Sequence, residues 1–166
     1  MRDDLRSLLD RLSFRPRIVT HPPVHTVEEA RAYYAGLEGI HTKNAFLKDA
    51  KGALFLVTVP AEQRLDMKML PGLIGSKRLS FGSPDLMRSI LQTEPGSLGP
   101  LSLIADTRRQ VRFAIDAALL QTESITCHPL DNNETWVLPV QELKRILADL
   151  GVVPIVFSFP DTPAGG

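Results

Sequence analysis

The sequence has a single cysteine, Cys127, among 166 residues. That excludes an internal disulfide and a multi-cysteine zinc site, and a reducing, cytoplasmic setting is expected. No apolar run approaches the ~20 residues that a membrane-crossing helix needs. The start, Met1-Arg2-Asp3-Asp4, has no apolar stretch behind it, so no secretory signal is expected. Charge of one sign is not in excess: 19 Lys and Arg balance 19 Asp and Glu. A bulk electrostatic nucleic-acid binder is thereby disfavoured, while a local basic patch stays open. There is no GxGxxG, no P-loop and no GxSxG elbow. What is there is ordinary for a folded chain, 43% hydrophobic and 23% charged residues. At ~150 residues per domain, one domain over 1–166 is expected, with 160–166 a frayed tail.

Periodicity and punctuation divide the chain. Leu5, Leu8, Leu9 and Leu12 form one stripe of a 3.6-residue period, a helix that Arg15-Pro16-Arg17 ends. Thr26 and Glu29 have capping-box spacing, opening a second helix through Leu37. Ile40–Leu47 and Ala53–Val59 predict a hairpin around the 49–52 turn, the second strand apolar enough to be central. A short helix over Asp66–Leu73 and a short strand over Arg78–Phe81 follow. Ser83-Pro84 reads as N-cap and first helical residue of a helix to about Gln92. The 95–100 turn cluster comes next. Strands are expected at Leu101–Ile104, Val111–Ile115, Ser124–Cys127 and Thr135–Leu138. A helix from Pro139 to Gly151 and a strand over Val153–Phe159 complete the pattern. The class is α/β or α+β, around one curved sheet.

Three places concentrate chemistry. Lys43, on a rigid strand, can hold a phosphate or an ester carbonyl, or can be a solvated edge lysine. The Gly96-Ser97-Leu98-Gly99 turn offers backbone N–H groups suited to an oxyanion, or is only a connection. Cys127 and His128 are neighbours on a strand and face opposite ways, so a thiol–imidazole pair is not expected. His21 and His25 straddle Pro22-Pro23 and are not read as metal ligands.

His41-Thr42-Lys43-Asn44-Ala45-Phe46-Leu47-Lys48-Asp49 resembles the signature strand of the free-standing prolyl-tRNA editing proteins. These are the ProX/PrdX type of the YbaK/prolyl-tRNA-synthetase editing-domain superfamily. The likeness continues through Arg78-Leu79-Ser80-Phe81, Pro95-Gly96-Ser97 with Pro100, and Cys127-His128-Pro129-Leu130 with Asn132-Asn133 and Thr135. It covers residues 20 to 158. The resemblance implies a mixed, barrel-like sheet flanked by helices. It also implies deacylation in trans of a mischarged aminoacyl-tRNA, alanyl-tRNA(Pro) first, with Cys-, Ser- or Thr-tRNA as alternatives.

By that resemblance Lys43 is the essential lysine, contacting the terminal nucleotide or the reacting ester. Asn44 helps hold the substrate. Gly96, Ser97, Leu98, Gly99 and Pro100 form the loop beside the aminoacyl group, and His128 faces the substrate amino group or a water. No metal or cofactor is implied. The partners implied are the acceptor end of tRNA(Pro) and prolyl-tRNA synthetase. Two departures stand out: Ala45 replaces a larger apolar residue, and Ala105-Asp106 replaces Asn-Asp. Lys43, Lys48, Lys51, Lys68, Lys77, Arg78, Arg108 and Arg109 are expected to share an RNA-facing side. Two other readings compete, a non-catalytic tRNA- or synthetase-binding module and a hydrolase using Cys127.

Overall fold

A computed structural model describes residues 2–20, 39–130 and 133–160. The chain runs α1 (Asp3–Leu12), β1 (Arg17–Thr20), β2 (Ile40–Asp49), β3 (Leu54–Pro60), α2 (Leu70–Ile74), β4 (Leu79–Phe81), α3 (Pro84–Leu91) and a 3-10 turn (Pro100–Ala105). Then come β5 (Val111–Asp116), α4 (Ala117–Leu120), β6 (Ser124–Cys127), β7 (Glu134–Pro139), α5 (Val140–Leu150) and β8 (Ile155–Phe157). The helix expected from Thr26 lies outside the described residues, as does the tail from 161. Among the described residues no helix is long and apolar enough to cross a membrane.

The strands form one mixed sheet in the order β1-β7-β6-β2-β3-β5-β8, with β4 beside β2. Alternation sorts its side chains to two faces. Phe46, Leu54, Leu56 and Phe113 pack on one face with Leu5, Leu8, Leu91, Leu143 and Leu147 from α1, α3 and α5. Ala45, Leu47, Phe55, Val57 and Val59 pack on the other, against Leu70 and Ile74 of α2 and Phe157 of β8. The continuous apolar run of β3 follows from this, since both its faces are covered.

β2 is the pivot. Thr42–Lys48 pairs antiparallel with β3 along one edge. On the other edge Ile40 and His41 pair in parallel with β6, and Leu47–Asp49 pairs antiparallel with β4. Between those two ladders no described strand covers this edge of β2. The Phe46 carbonyl there accepts from Gly82 N–H at 2.8 Å. The result is a notch in the sheet at Thr42–Ala45.

Local chemistry explains most boundaries. Ser83 Oγ accepts from Leu86 N–H, and Gly151 closes α5 in a left-handed conformation at φ 72°. Asp49 is buried at the end of β2. Its carboxylate accepts from the N–H groups of Lys51 and Ala53 at 2.9 Å and of Lys77 at 3.0 Å. It therefore ties the hairpin turn to the segment entering β4. The Lys77 bond foremost holds the Asp49 carboxyl below its ordinary range, outweighing the opposing effect of burial. A depressed carboxyl pKa stabilises the fold above the unfolded value of ~3.9, and that stability goes as pH falls through the folded value. Asp49→Asn is therefore expected to be clearly less stable than wild type near neutral pH. The gap should close in acid, which urea midpoints measured against pH will check.

Two expectations are corrected, and one strand was not expected at all. Leu101–Ile104 is not a strand but part of the 3-10 turn, in which Leu101 and Leu103 are buried. A short apolar run carries no period that separates a strand from a buried helical turn. The helix expected over Asp66–Leu73 is confined to Leu70–Ile74, because Asp66 first makes a turn, accepting from Lys68 and Met69 N–H. β1 is four residues long and mostly exposed, so it carries no buried period, and it is held by pairing with β7.

Candidate active site

The notch holds Lys43 and Asn44, two of the residues singled out from the sequence. They leave β2 on opposite faces. Asn44 lies on the side of the larger core. Its Oδ1 accepts from Thr58 Oγ1 at 2.5 Å. Thr58 is fully buried, so the amide is locked with Nδ2 as its remaining donor. No described residue accepts from that nitrogen.

The Gly96–Pro100 loop closes against this side. A methyl group at Gly99 would stand 3.4 Å from the His128 carbonyl oxygen and 4.0 Å from Asn44 Nδ2. Asn44, Gly99 and the His128 main chain, far apart in sequence, thus meet. The His128 ring is anchored, its Nδ1 lying 3.0 Å from the Glu134 carbonyl. A carbonyl only accepts, so Nδ1 carries the proton and a neutral ring has Nε2 as its acceptor.

The loop does not offer all the N–H groups expected of it. Ser97 N–H donates to the Glu94 carbonyl and Gly99 N–H to Ser102 Oγ. The turn consumes both in holding its own shape, leaving those of Gly96 and Leu98. Leu98 sends its side chain into the core, and Ser97 and Pro100 are buried. Gly96 is exposed, with φ 94°.

Lys43 lies across the strand. It is half-buried and lines a cavity of about 250 Å³ with Asn44, Ala45, Val57, Val59, Leu65 and Phe81. Among the described residues its ammonium has no ion-pair or hydrogen-bond partner. The fold thus gains no ion pair or hydrogen bond from this ammonium among the described residues. Two more polar side chains sit at the β6 end of the notch. Thr42 Oγ1 donates to the Thr126 carbonyl at 2.7 Å, and His41 Nδ1 lies 3.1 Å from Thr126 Oγ1. Burial lowers the His41 pKa, with the charge of Glu62 opposing, so the ring is neutral at neutral pH.

Cys127 is excluded as a nucleophile. It is buried, and burial pushes its thiol up to about 12. At neutral pH almost no thiolate exists to attack. Cys127→Ala is therefore expected to keep the wild-type deacylation rate; loss of turnover at unchanged stability would restore the thiol as a participant. Among the described residues no three His, Cys, Asp or Glu side chains gather as a metal-binding group.

Residues 21–146 match the sequence model of the aminoacyl-tRNA editing domain. The chain belongs to that family. The editing domain is accordingly an aminoacyl-tRNA deacylase. It is 34% identical over 161 residues to zebrafish (Danio rerio) prolyl-tRNA synthetase associated domain-containing protein 1, covering 96% of this chain and 88% of the relative. It is also 34% identical to the prolyl-tRNA editing protein ProX of Acetoanaerobium sticklandii, covering 84% of this chain and 85% of that protein. Among solved structures, the hypothetical protein APE2540 superposes with a TM-score of 0.73 at 18% identity, covering 93% of this chain and 98% of that one. A candidate trans-editing enzyme for prolyl tRNA synthetase superposes at 0.68 and 19% identity, covering 95% and 96%. These two establish the likeness of fold.

The sequence reading of the editing domain missed the cavity wall and Thr58. One signal was available: Thr58 is the one polar residue in the run Ala53–Val59. A hydroxyl in a strand buried on both faces needs a partner, and here the partner is Asn44.

Proposed function

We propose that this editing domain acts in trans on tRNA(Pro) mischarged with alanine, with Lys43, Asn44, the Gly96–Pro100 loop and His128 as its site. The observation that carries the reading is the unpaired Lys43 ammonium beside a 250 Å³ apolar cavity. That volume lies below the ~300–1,000 Å³ of sites for drug-sized ligands and suits an amino-acid side chain. The names of the relatives at 34% identity add the prolyl-tRNA connection.

The chemistry asked of the site is modest. Water adds to the ester carbonyl carbon, and the tetrahedral intermediate expels the ribose oxygen. Free amino acid and tRNA with an intact terminal hydroxyl result. An aminoacyl ester is already reactive, so positioning and charge stabilisation carry the rate. Lys43 supplies the charge for the ester oxygen or the terminal nucleotide. Asn44 Nδ2, locked by Thr58, supplies a fixed donor. Glycine at 99 leaves room for the substrate beside it, and His128 faces the amino group or the attacking water. The terminal hydroxyl of the tRNA assists in activating that water.

The need for a second pocket is physical. A synthetase site built for proline rejects smaller alanine by only ~1–3 kcal/mol per missing methylene. An editing cavity that admits alanine and not proline reverses the sieve. The test is deacylation of Ala-, Ser-, Cys- and Pro-tRNA(Pro) side by side. Clearance of Ala-tRNA(Pro) with Pro-tRNA(Pro) spared is expected. Preference for Ser or Cys would overturn the alanine assignment, and binding without any clearance would overturn the site.

A further inference from the structure

The chain as a whole is neutral, yet its charge is not evenly spread. Lys51 in the β2–β3 turn, Lys77 ahead of β4 and Arg112 on β5 wall a second concavity of about 590 Å³. Gly72, Gly75 and Ser76 supply small residues at its rim. A methyl group at Gly72 or Gly75 would meet nothing within 4 Å, so the approach is open. Arg112 lies 5.8 Å above the Phe55 ring, which fixes the guanidinium. Among the described residues none of the three cations has an ion-pair partner.

The one carboxylate in the wall is Asp49; its oxygens are occupied by main-chain donors, and its charge also acts on Arg112. Its oxygens accept from the backbone N–H groups of Lys51, Ala53 and Lys77, and it is only 7% exposed. Those same bonds pin the main chain of both lysines, bringing two cations together from distant parts of the sequence. Three cations against that one carboxylate leave the outer surface of the concavity net positive, and the main-chain bonds preorganise it.

Its place relative to the notch is informative. Lys43, Ala45, Leu47 and Asp49 alternate onto one face of β2, so the concavity lies on the same face as Lys43. Six residues of strand at ~3.3 Å each put it about 20 Å away. That is a few nucleotides of extended single strand.

We infer that the Lys51–Lys77–Arg112 concavity is a phosphate-binding site that grips the RNA backbone leading to the esterified 3′ end. The inference rests on the aminoacyl-tRNA reading of the notch. It explains how a neutral chain holds a polyanion: the cations are concentrated where the strand passes, and backbone contacts carry the affinity.

The test is Lys51→Glu/Lys77→Glu, with Lys51→Gln/Lys77→Gln as the milder pair. Arg112 is left in place because it packs on Phe55. Deacylation of aminoacyl-tRNA is compared with that of 3′-aminoacyl-adenosine, which has no backbone to grip. For aminoacyl-tRNA, KM is expected to rise about tenfold or more with kcat kept, and cleavage of aminoacyl-adenosine to persist. The slope of log KM against log salt should become shallower by about two, one unit per lost phosphate contact. An unchanged KM for aminoacyl-tRNA would overturn the inference. So would poly-glutamate competing as well as uncharged tRNA, since the surface would then be a site for acidic peptide. If wild type cleaves neither ester, the deacylase reading fails by itself. Anisotropy with uncharged tRNA then decides the concavity: weaker binding by the variants supports it, equal binding overturns it.

Discussion

Lys43→Ala is expected to lower kcat/KM for aminoacyl-tRNA about 10²–10³-fold, the usual cost of removing one preorganised charge donor. The side chain contributes no described ion pair or hydrogen bond to the fold. Its strand is held by the β3 ladder and by the buried Ala45, Phe46 and Leu47, none of which depends on the ammonium. The thermal midpoint should therefore move little, and the loss will be chemical. The split between constants reports the role. If the ammonium stabilises the developing oxyanion, kcat falls and KM holds. If it grips the terminal nucleotide, KM rises. Lys43→Arg sharpens the distinction, because a planar guanidinium serves a phosphate well and a single ester oxygen poorly. Full activity in the alanine variant would remove Lys43 from the site.

Ala45→Leu is expected to abolish or redirect amino-acid selection. Ala45 stands opposite Val57 in the ladder and lines the Lys43 cavity between Val59, Leu65 and Phe81. A leucine there projects into the space the aminoacyl side chain is proposed to occupy. One methylene is worth roughly 10–200-fold in such a pocket, so a drop of at least 10²-fold on Ala-tRNA(Pro) is expected. The open volume absorbs the new side chain, which keeps any overpacking penalty near the low end of the ~1–3 kcal/mol range. Phe81→Ala makes the converse change. Phe81 is 67% exposed, so the fold loses little while the cavity widens. Pro-tRNA(Pro), which the proposed reading has the wild type spare, should then be cleared. Unchanged selectivity in both variants would place the aminoacyl group elsewhere, on the Asn44 side of β2.

The two predictions use residues of different legibility. Lys43 stood out because its motif strand is distinctive and because a lysine in a half-apolar strand is chemically conspicuous. Ala45 stood out only as a departure from a resemblance, and composition says nothing of which cavity an alanine lines. The Gly99 loop was legible as a turn, but which of its N–H groups remain available was not. Ser102 Oγ takes one of them, a contact made only once the 3-10 turn has formed. The run Leu101–Ile104 was misread for a related reason, since burial on all sides erases the period that would have marked it as helical.

By itself the sequence determined the elements whose signals are local: the leucine stripe of α1, the Asp49–Gly52 turn of the hairpin, the Ser83-Pro84 start of α3, and the glycine stop of α5. Periodicity, capping and turn chemistry act over a few residues, so a few residues suffice to read them. Strand alternation likewise determined that Cys127 and His128 face apart. What Lys43, Asn44 and His128 meet was set by the tertiary structure. Parallel pairing of β6 and antiparallel pairing of β4 on one edge of β2 leave the notch. Chain crossover then brings Gly99 and His128 to Asn44, and Asp49 draws Lys51 and Lys77 together. Those contacts depend on register and topology, which the packing of both sheet faces selects cooperatively and no short stretch of residues encodes.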